Sequence, residues 1–130
     1  MTDQPANIGQ RTWRRKFADA FRGVWLGMRN DRSFAVHHAA AVTVLVAAAV
    51  CRLQAWQWVA LLICIAMVMT AEMFNSALEQ LARAVDLKFN PQLAAALDIA
   101  SAAVLLSAIG AVSVAAVIFL PPLFDLLMSK

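Results

Sequence analysis

The chain has 130 residues, 62% of them hydrophobic and only 15% charged, and a mean hydropathy of +0.70, a balance that excludes an ordinary soluble domain. At ~20 residues per membrane-spanning helix there is room for about three spans and none for a separate soluble catalytic domain. The net charge of +3 does not point to nucleic acid, because seven of the eleven Lys and Arg residues fall between Arg11 and Arg32, a clustering suited to an anionic membrane surface.

Residues 1–9, with Pro5, Asn7 and Gly9 and no apolar core, read as a disordered start and not as a secretory signal. Residues 10–30 read as an amphipathic helix on the membrane surface. There Trp13, Phe17, Phe21, Val24, Trp25 and Met28 recur at helical spacing, while Arg11, Arg14, Arg15, Lys16 and Arg22 occupy most of the remainder. Residues 31–130 form the transmembrane unit, with spans expected at 34–51, 55–81 and 93–120. The short connections between them make neighbours antiparallel.

Nine Lys and Arg residues precede the first span or follow the second, against two in the other loop and the tail. That asymmetry puts the N-terminus and the second loop in the cytoplasm. Trp56 and Trp58 then mark the outer interface, and Pro121 with Pro122 is expected to end the third span there. Ala39–Ala41 and Ala94–Ala96 permit close helix approach. Cys51 and Cys64 lie in apolar runs without a metal-binding spacing and read as inert thiols. His37 and His38 are adjacent, so they point about 100° apart and cannot share one helical face; packing or interfacial roles are expected for them. Met67, Met69 and Met73 read as core filler.

The second span carries Glu72, Asn75, Ser76, Glu79 and Arg83, at offsets 0, 3, 4, 7 and 11. At about 100° per residue these fall within a sector of roughly 100°, one polar stripe along the helix. Glu72 stands about 26 Å along a helix starting at Ala55, in a hydrocarbon layer ~30 Å thick, and so near the cytoplasmic side. A lipid-facing carboxylate there would cost up to ~3 kcal/mol, so the stripe is expected to face protein. Asp31 before the first span and Asp98 early in the third reach a similar depth. Carboxylates converging in a lipid-walled cleft suit a divalent cation, or proton transfer by a desolvated acid. The four glycines form no phosphate-binding loop, so the pattern alone names neither ATP nor a substrate.

The stretch Glu72-Met73-Phe74-Asn75-Ser76-Ala77-Leu78-Glu79 resembles the E-x-x-N-[ST]-A-[IL]-E signature of the prokaryotic diacylglycerol kinase family. Asp98-Ile99-Ala100-Ser101-Ala102-Ala103-Val104 resembles that family's D-x-x-[SA]-[AG]-A-V element, Asn30-Asp31-Arg32-Ser33-Phe34 its N-E-x-x-F, and Phe21-Arg22-Gly23 its aromatic-Lys-Gly element. Together they cover about residues 17–120. The resemblance implies an all-α homotrimeric enzyme of the bacterial inner membrane that moves the γ-phosphate of MgATP to a lipid hydroxyl, with diacylglycerol or undecaprenol as acceptor and sites shared between subunits. It implies Glu72 as general base, Asp31 and Glu79 as ligands of Mg²⁺, Asn75, Asp98 and Arg22 at the nucleotide, and Ser101 with Glu72 on the lipid side.

The chain also departs from the family pattern. Aspartate replaces the usual glutamate at Asp31, Leu97 the lysine before Asp98, and Arg83 an acid; there is no tyrosine for the adenine. Arg83 is expected to restore the missing cation at the nucleotide, Asp86 the displaced acid, and Phe17 or Phe21 the stacking ring. Two other readings of the residues stay open: a small oligomeric ion or proton transporter using Glu72, and a lipid-binding relative inactive through Leu97.

Overall fold

The computed structural model describes residues 12–30, 32–85 and 90–128, without the side chains of residues 29, 30, 32, 33, 125 and 126. The expectations for residues 1–9, Asp31 and Asp86 lie outside the described residues. Those described form four helices and no strand: α1 (Trp13–Asn30), α2 (Arg32–Val50), α3 (Ala55–Val85) and α4 (Pro91–Met128).

Local chemistry sets each boundary. At the head of α1 the Thr12 carbonyl accepts from the amides of Arg15 and Lys16. The end of α2 is a Schellman turn: Arg52 takes φ 50°, its amide returns to the Ala49 carbonyl, and the Leu53 amide returns to Ala48 at 3.2 Å. Leu53 also packs against the core cluster that contains Ala48, in keeping with the apolar contact that accompanies this turn. Gln54 heads α3, its amide donating to Gln57 Oε1 at 2.8 Å, one half of a capping box. Asn90 caps α4, Oδ1 accepting from the amides of Gln92 and Leu93, and Pro91 takes the first helical position, where no N–H is needed.

The expected stop at Pro121 and Pro122 is corrected: α4 runs through both prolines to Met128. Proline's fixed φ of about −65° is itself helical, so each ring removes one donor without forcing the chain out of the helix. The flanking Leu120, Leu123 and Phe124 continue the apolar sequence, and no turn-forming residue follows at once.

The most extensive packing joins α3 to α4, and α2 lies against α3. At one end of the bundle Ala48, Leu61 and Ile118 form a buried core, surrounded by Val44, Trp58, Val114 and Phe119. Large side chains elsewhere on these helices face outward, among them Val46, Leu62, Leu106, Val112 and Val117. Such uncovered apolar surface suits a hydrocarbon solvent, not water. By length and composition α3 and α4 can each cross a membrane, whereas the apolar part of α2, Phe34–Val50, is shorter.

α1 meets the bundle at Gly27, and its aromatic side chains stay outside that contact. Gly27 is buried, and a Cβ built there would stand 2.6 Å from Met73 Sδ on α3. Trp13, Phe17, Phe21 and Trp25 all remain exposed, with the Lys16 ammonium 4.8 Å above the Trp13 ring.

Candidate functional site

One face of α3 changes character along its length. Leu61 and Val68 are buried and apolar; Glu72, Asn75 and Ser76, on the same side, are 2%, 7% and 5% exposed. Toward the far end Glu79 is half-buried and Arg83 exposed. The polar stripe therefore faces protein at its inner end, as expected, and emerges into the open at Arg83.

A chain of side-chain bonds organises it. Ser101 Oγ on α4 donates to Asn75 Oδ1 at 3.4 Å. Asn75 Nδ2 donates to Glu79 Oε1 at 3.1 Å, and the Arg83 guanidinium reaches Glu79 Oε2 at 3.3 Å. Asn75 thus uses both ends of its amide, one on each helix. Its carbonyl takes the hydroxyl of α4 and its NH₂ restrains the carboxylate of α3. Glu79 has a neutral donor on one oxygen and a cation on the other, which fixes the direction of its carboxylate.

Of the residues singled out in the sequence, Asn75, Glu79 and Arg83 are joined along α3 and Ser101 reaches Asn75 across the α3–α4 seam, with Glu72 buried on the same side of α3. Asp98 lies on α4 one turn before Ser101 and is exposed; Arg22 on α1 is also exposed. Among the described residues no three His, Cys, Asp or Glu side chains gather closely enough to hold a metal ion. Glu79, whose carboxylate is held in place on this face, is an oxygen donor of the kind a hard cation takes, and Mg²⁺ often draws only one or two ligands from protein.

Two features were not read from the sequence. The buried Gly27 against Met73 places α1 beside the residue next to Glu72; a glycine inside an amphipathic helix is the one sequence signal for such close approach. The second is an apolar cleft of about 140 Å³ between α2, α3 and α4, lined by His37, Ala41, Leu61, Cys64, Met69 and Ala111 among others. Its α3 wall ends at Met69, one turn from Glu72 and on the same side of the helix. The alanines that narrow it are legible only as permission for close contact.

Residues 18–119 match the family model described as prokaryotic diacylglycerol kinase. The chain is similar to the undecaprenol kinase of Bacillus subtilis (strain 168), 32% identical over 109 residues that span 84% of this chain and 89% of that one. It is also similar to the diacylglycerol kinase of Synechocystis sp. (strain ATCC 27184 / PCC 6803 / Kazusa), 35% identical over 116 residues, 86% of this chain and 65% of that relative's length. No solved structure gives a significant match. The signature Glu72 to Glu79, set on the buried seam of two membrane-spanning helices, lies within the matched residues, and the chain belongs to the prokaryotic diacylglycerol kinase family, a family of membrane lipid kinases.

Proposed function

We propose that this protein transfers the γ-phosphate of ATP to the hydroxyl of a membrane lipid, diacylglycerol or undecaprenol, in a Mg²⁺-dependent reaction at the cytoplasmic face of a bacterial inner membrane. The observation that carries this reading is the burial of Glu72 at the head of a stripe whose other members, Asn75 and Glu79, are already joined at 3.1 Å. Glu72 accepts the hydroxyl proton as the lipid oxygen attacks phosphorus. Its shielded position keeps water away from the transferring group, and its fixed place on α3 supplies the orientation on which phosphoryl transfer depends. Asn75 holds Glu79 in place, while Asp98, Arg83 and Arg22 lie around the nucleotide. Ser101 stands on the lipid side. Asp31 and Glu79 would hold Mg²⁺, which when bound neutralises charge on the nucleotide phosphates.

The membrane arrangement follows the same line of support. α2 joins α3 and α4 as a third span, and α1 lies along the interface, its exposed Trp13, Phe17, Phe21 and Trp25 towards lipid and Arg14, Arg15 and Arg22 at the headgroups. The positive-inside asymmetry of nine Lys and Arg residues against two puts the N-terminus in the cytoplasm. An open apolar face of α3, running from Ile63 past Ala66, Thr70 and Ala71 to Phe74, offers small residues for helix packing and supports a homotrimer of this chain. Counted from Ala55, Glu72 stands about 26 Å into a hydrocarbon layer ~30 Å thick, near one face and not at mid-membrane, which favours the kinase over an ion or proton transporter.

The test is direct. Purified protein in mixed micelles receives [γ-³²P]ATP, Mg²⁺ and each lipid in turn. Label in the lipid that depends on Mg²⁺ supports the reading. Its absence with both lipids at millimolar MgATP overturns it.

A further inference from the structure

The cleft between α2, α3 and α4 is apolar along nearly its whole wall. Of the groups that line it only two are not hydrocarbon or thioether: the Cys64 thiol on α3 and the His37 imidazole on α2. From Leu61 to Met69 it runs about 12 Å along α3 at 1.5 Å per residue. Its floor is the buried core of Ala48, Leu61 and Ile118.

Helix register places His37 relative to Glu72. Ala48 of α2 and Leu61 of α3 pack together in that core, and the two helices run antiparallel. His37 is eleven residues before Ala48, and Glu72 eleven after Leu61. Both therefore stand about 16 Å from the core in the same direction, at one level. The imidazole lines the cleft, and the carboxylate is buried at the same level one turn beyond the cleft's α3 wall. The other histidine is engaged elsewhere: His38 lies against Phe34, ring centroids 5.1 Å apart. The imidazole of His37 is half-buried and lines the cleft, with no hydrogen-bonding partner among the described residues.

We propose that the cleft receives the first stretch of the acceptor lipid's apolar chain and that His37 positions the acceptor hydroxyl opposite Glu72. This rests on the lipid-kinase reading above and adds a binding residue to it. A lipid whose chain enters the cleft leaves its hydroxyl at the Glu72 end, between the two side chains. The hydroxyl donates its hydrogen to Glu72, and its oxygen accepts one hydrogen bond from the His37 N–H. One lone pair is left to attack the γ-phosphorus. When the P–O bond to the lipid forms and that to ADP breaks, the hydroxyl proton passes to Glu72, while His37 keeps its own. His37 therefore acts on orientation and on lipid binding, and not on the proton inventory.

The occupant follows from the walls. They offer methyl and methylene surface continuous with the Glu72 end, which suits a hydrocarbon chain attached to a single hydroxyl and not a nucleotide or an ion. Both acceptor lipids have that chemistry.

Kinetics of His37→Phe and His37→Asn against the unaltered protein test the proposal, with lipid and ATP varied separately. Loss of one neutral hydrogen bond corresponds to about a tenfold fall in kcat/KM for the lipid. The expected result for His37→Phe is that fall, with KM for ATP within about twofold, because only the lipid side is disturbed. His37→Asn keeps an N–H donor and is expected to recover at least about threefold of the loss, less than a full bond's worth. A second measurement reads the cleft without catalysis. In a Cys51→Ser background Cys64 is the sole thiol, and dioleoylglycerol or undecaprenol, added without nucleotide, is expected to slow its alkylation by N-ethylmaleimide; His37→Phe weakens that protection.

Wild-type kinetics in His37→Phe overturn the proposal. Equal damage to both KM values with no recovery in His37→Asn makes His37 a packing residue and also overturns it, as does an alkylation rate indifferent to lipid. If the unaltered protein phosphorylates neither lipid, the kinase reading itself falls, whatever Cys64 reports, and the role of His37 in transfer falls with it.

Discussion

Ser101 on α4 and Asn75 on α3, twenty-six positions apart, share a hydrogen bond of 3.4 Å from hydroxyl to amide carbonyl. It is the cross-helix half of a relay whose other half, Asn75 to Glu79 at 3.1 Å, ends on an exposed-side carboxylate. A side chain only 7% exposed that serves two helices at once cannot be replaced by an isostere of different polarity without stranding a partner.

Asn75→Leu is accordingly expected to lower kcat/KM for ATP by about ten- to a hundredfold, the loss attached to a buried hydrogen bond to a charged group. Ser101→Ala, which removes only the longer bond, should cost less than about fivefold. Steady-state kinetics with ATP varied check both. Equal losses in the two variants would place the important contact between the helices and not at Glu79.

Glu72→Gln separates chemistry from structure. The amide has the shape of the acid but cannot take up the hydroxyl proton, so kcat should fall by about 10² to 10⁴, the usual share of a general base. KM for ATP should hold. Burying a neutral amide in place of a group that is 2% exposed removes a desolvation cost, so the thermal midpoint in detergent should not drop. An active Glu72→Gln protein would assign the proton to another acceptor.

The polar stripe was legible because helical periodicity converts five offsets into one face, and burial of Glu72, Asn75 and Ser76 follows from the cost of showing them to lipid. The helix order was equally legible, since apolar runs of this length admit few arrangements. Pro121 and Pro122 misled because proline weakens a helix interior by a lost donor and a clash with the carbonyl four residues back, yet its fixed φ is helical, so here it does not end α4. Gly27 against Met73 and the cleft beside His37 were not legible: both depend on which faces of separate helices meet, and no local pattern carries that.

Glu79 and Arg83 make an ion pair at 3.3 Å, with the arginine 72% exposed. A pair so open to solvent contributes little to folding, so Arg83→Ala should shift the thermal midpoint by less than about 2 °C, the effect of a few tenths of a kcal/mol. If its guanidinium replaces the cation lost at Leu97, KM for ATP should rise about three- to tenfold, one charge-assisted contact at a partly exposed site. An unchanged KM would leave Arg83 as a surface partner of Glu79.

Glu79→Gln addresses the metal in the same assay. Losing one carboxylate from a site that draws few ligands from protein should raise the Mg²⁺ concentration needed for half-maximal rate by about tenfold or more, and excess Mg²⁺ should recover much of the rate. A variant whose Mg²⁺ dependence matched the unaltered protein would remove Glu79 from the metal.

The approach of α1 to α3 admits a test by exchange of volume. A Cβ at Gly27 would sit 2.6 Å from Met73 Sδ and 3.3 Å from its Cε, both at the far end of a flexible side chain, so Gly27→Ala should be absorbed by a new Met73 rotamer. Gly27→Leu brings three more carbons into the same space and should lever α1 away, a strain of roughly 1–3 kcal/mol. Trypsin reports it, since Arg14, Arg15, Lys16 and Arg22 all lie on α1. Cleavage there should quicken about tenfold if opening of α1 becomes easier by about 1.4 kcal/mol. Met73→Ala vacates the contested volume, so Gly27→Leu with Met73→Ala should return cleavage to within about threefold of the unaltered rate and recover activity in proportion. Activity that stays low after α1 has closed again would mean that Met73 acts on Glu72 directly, through the turn of α3 they share, and not through the seat of the surface helix.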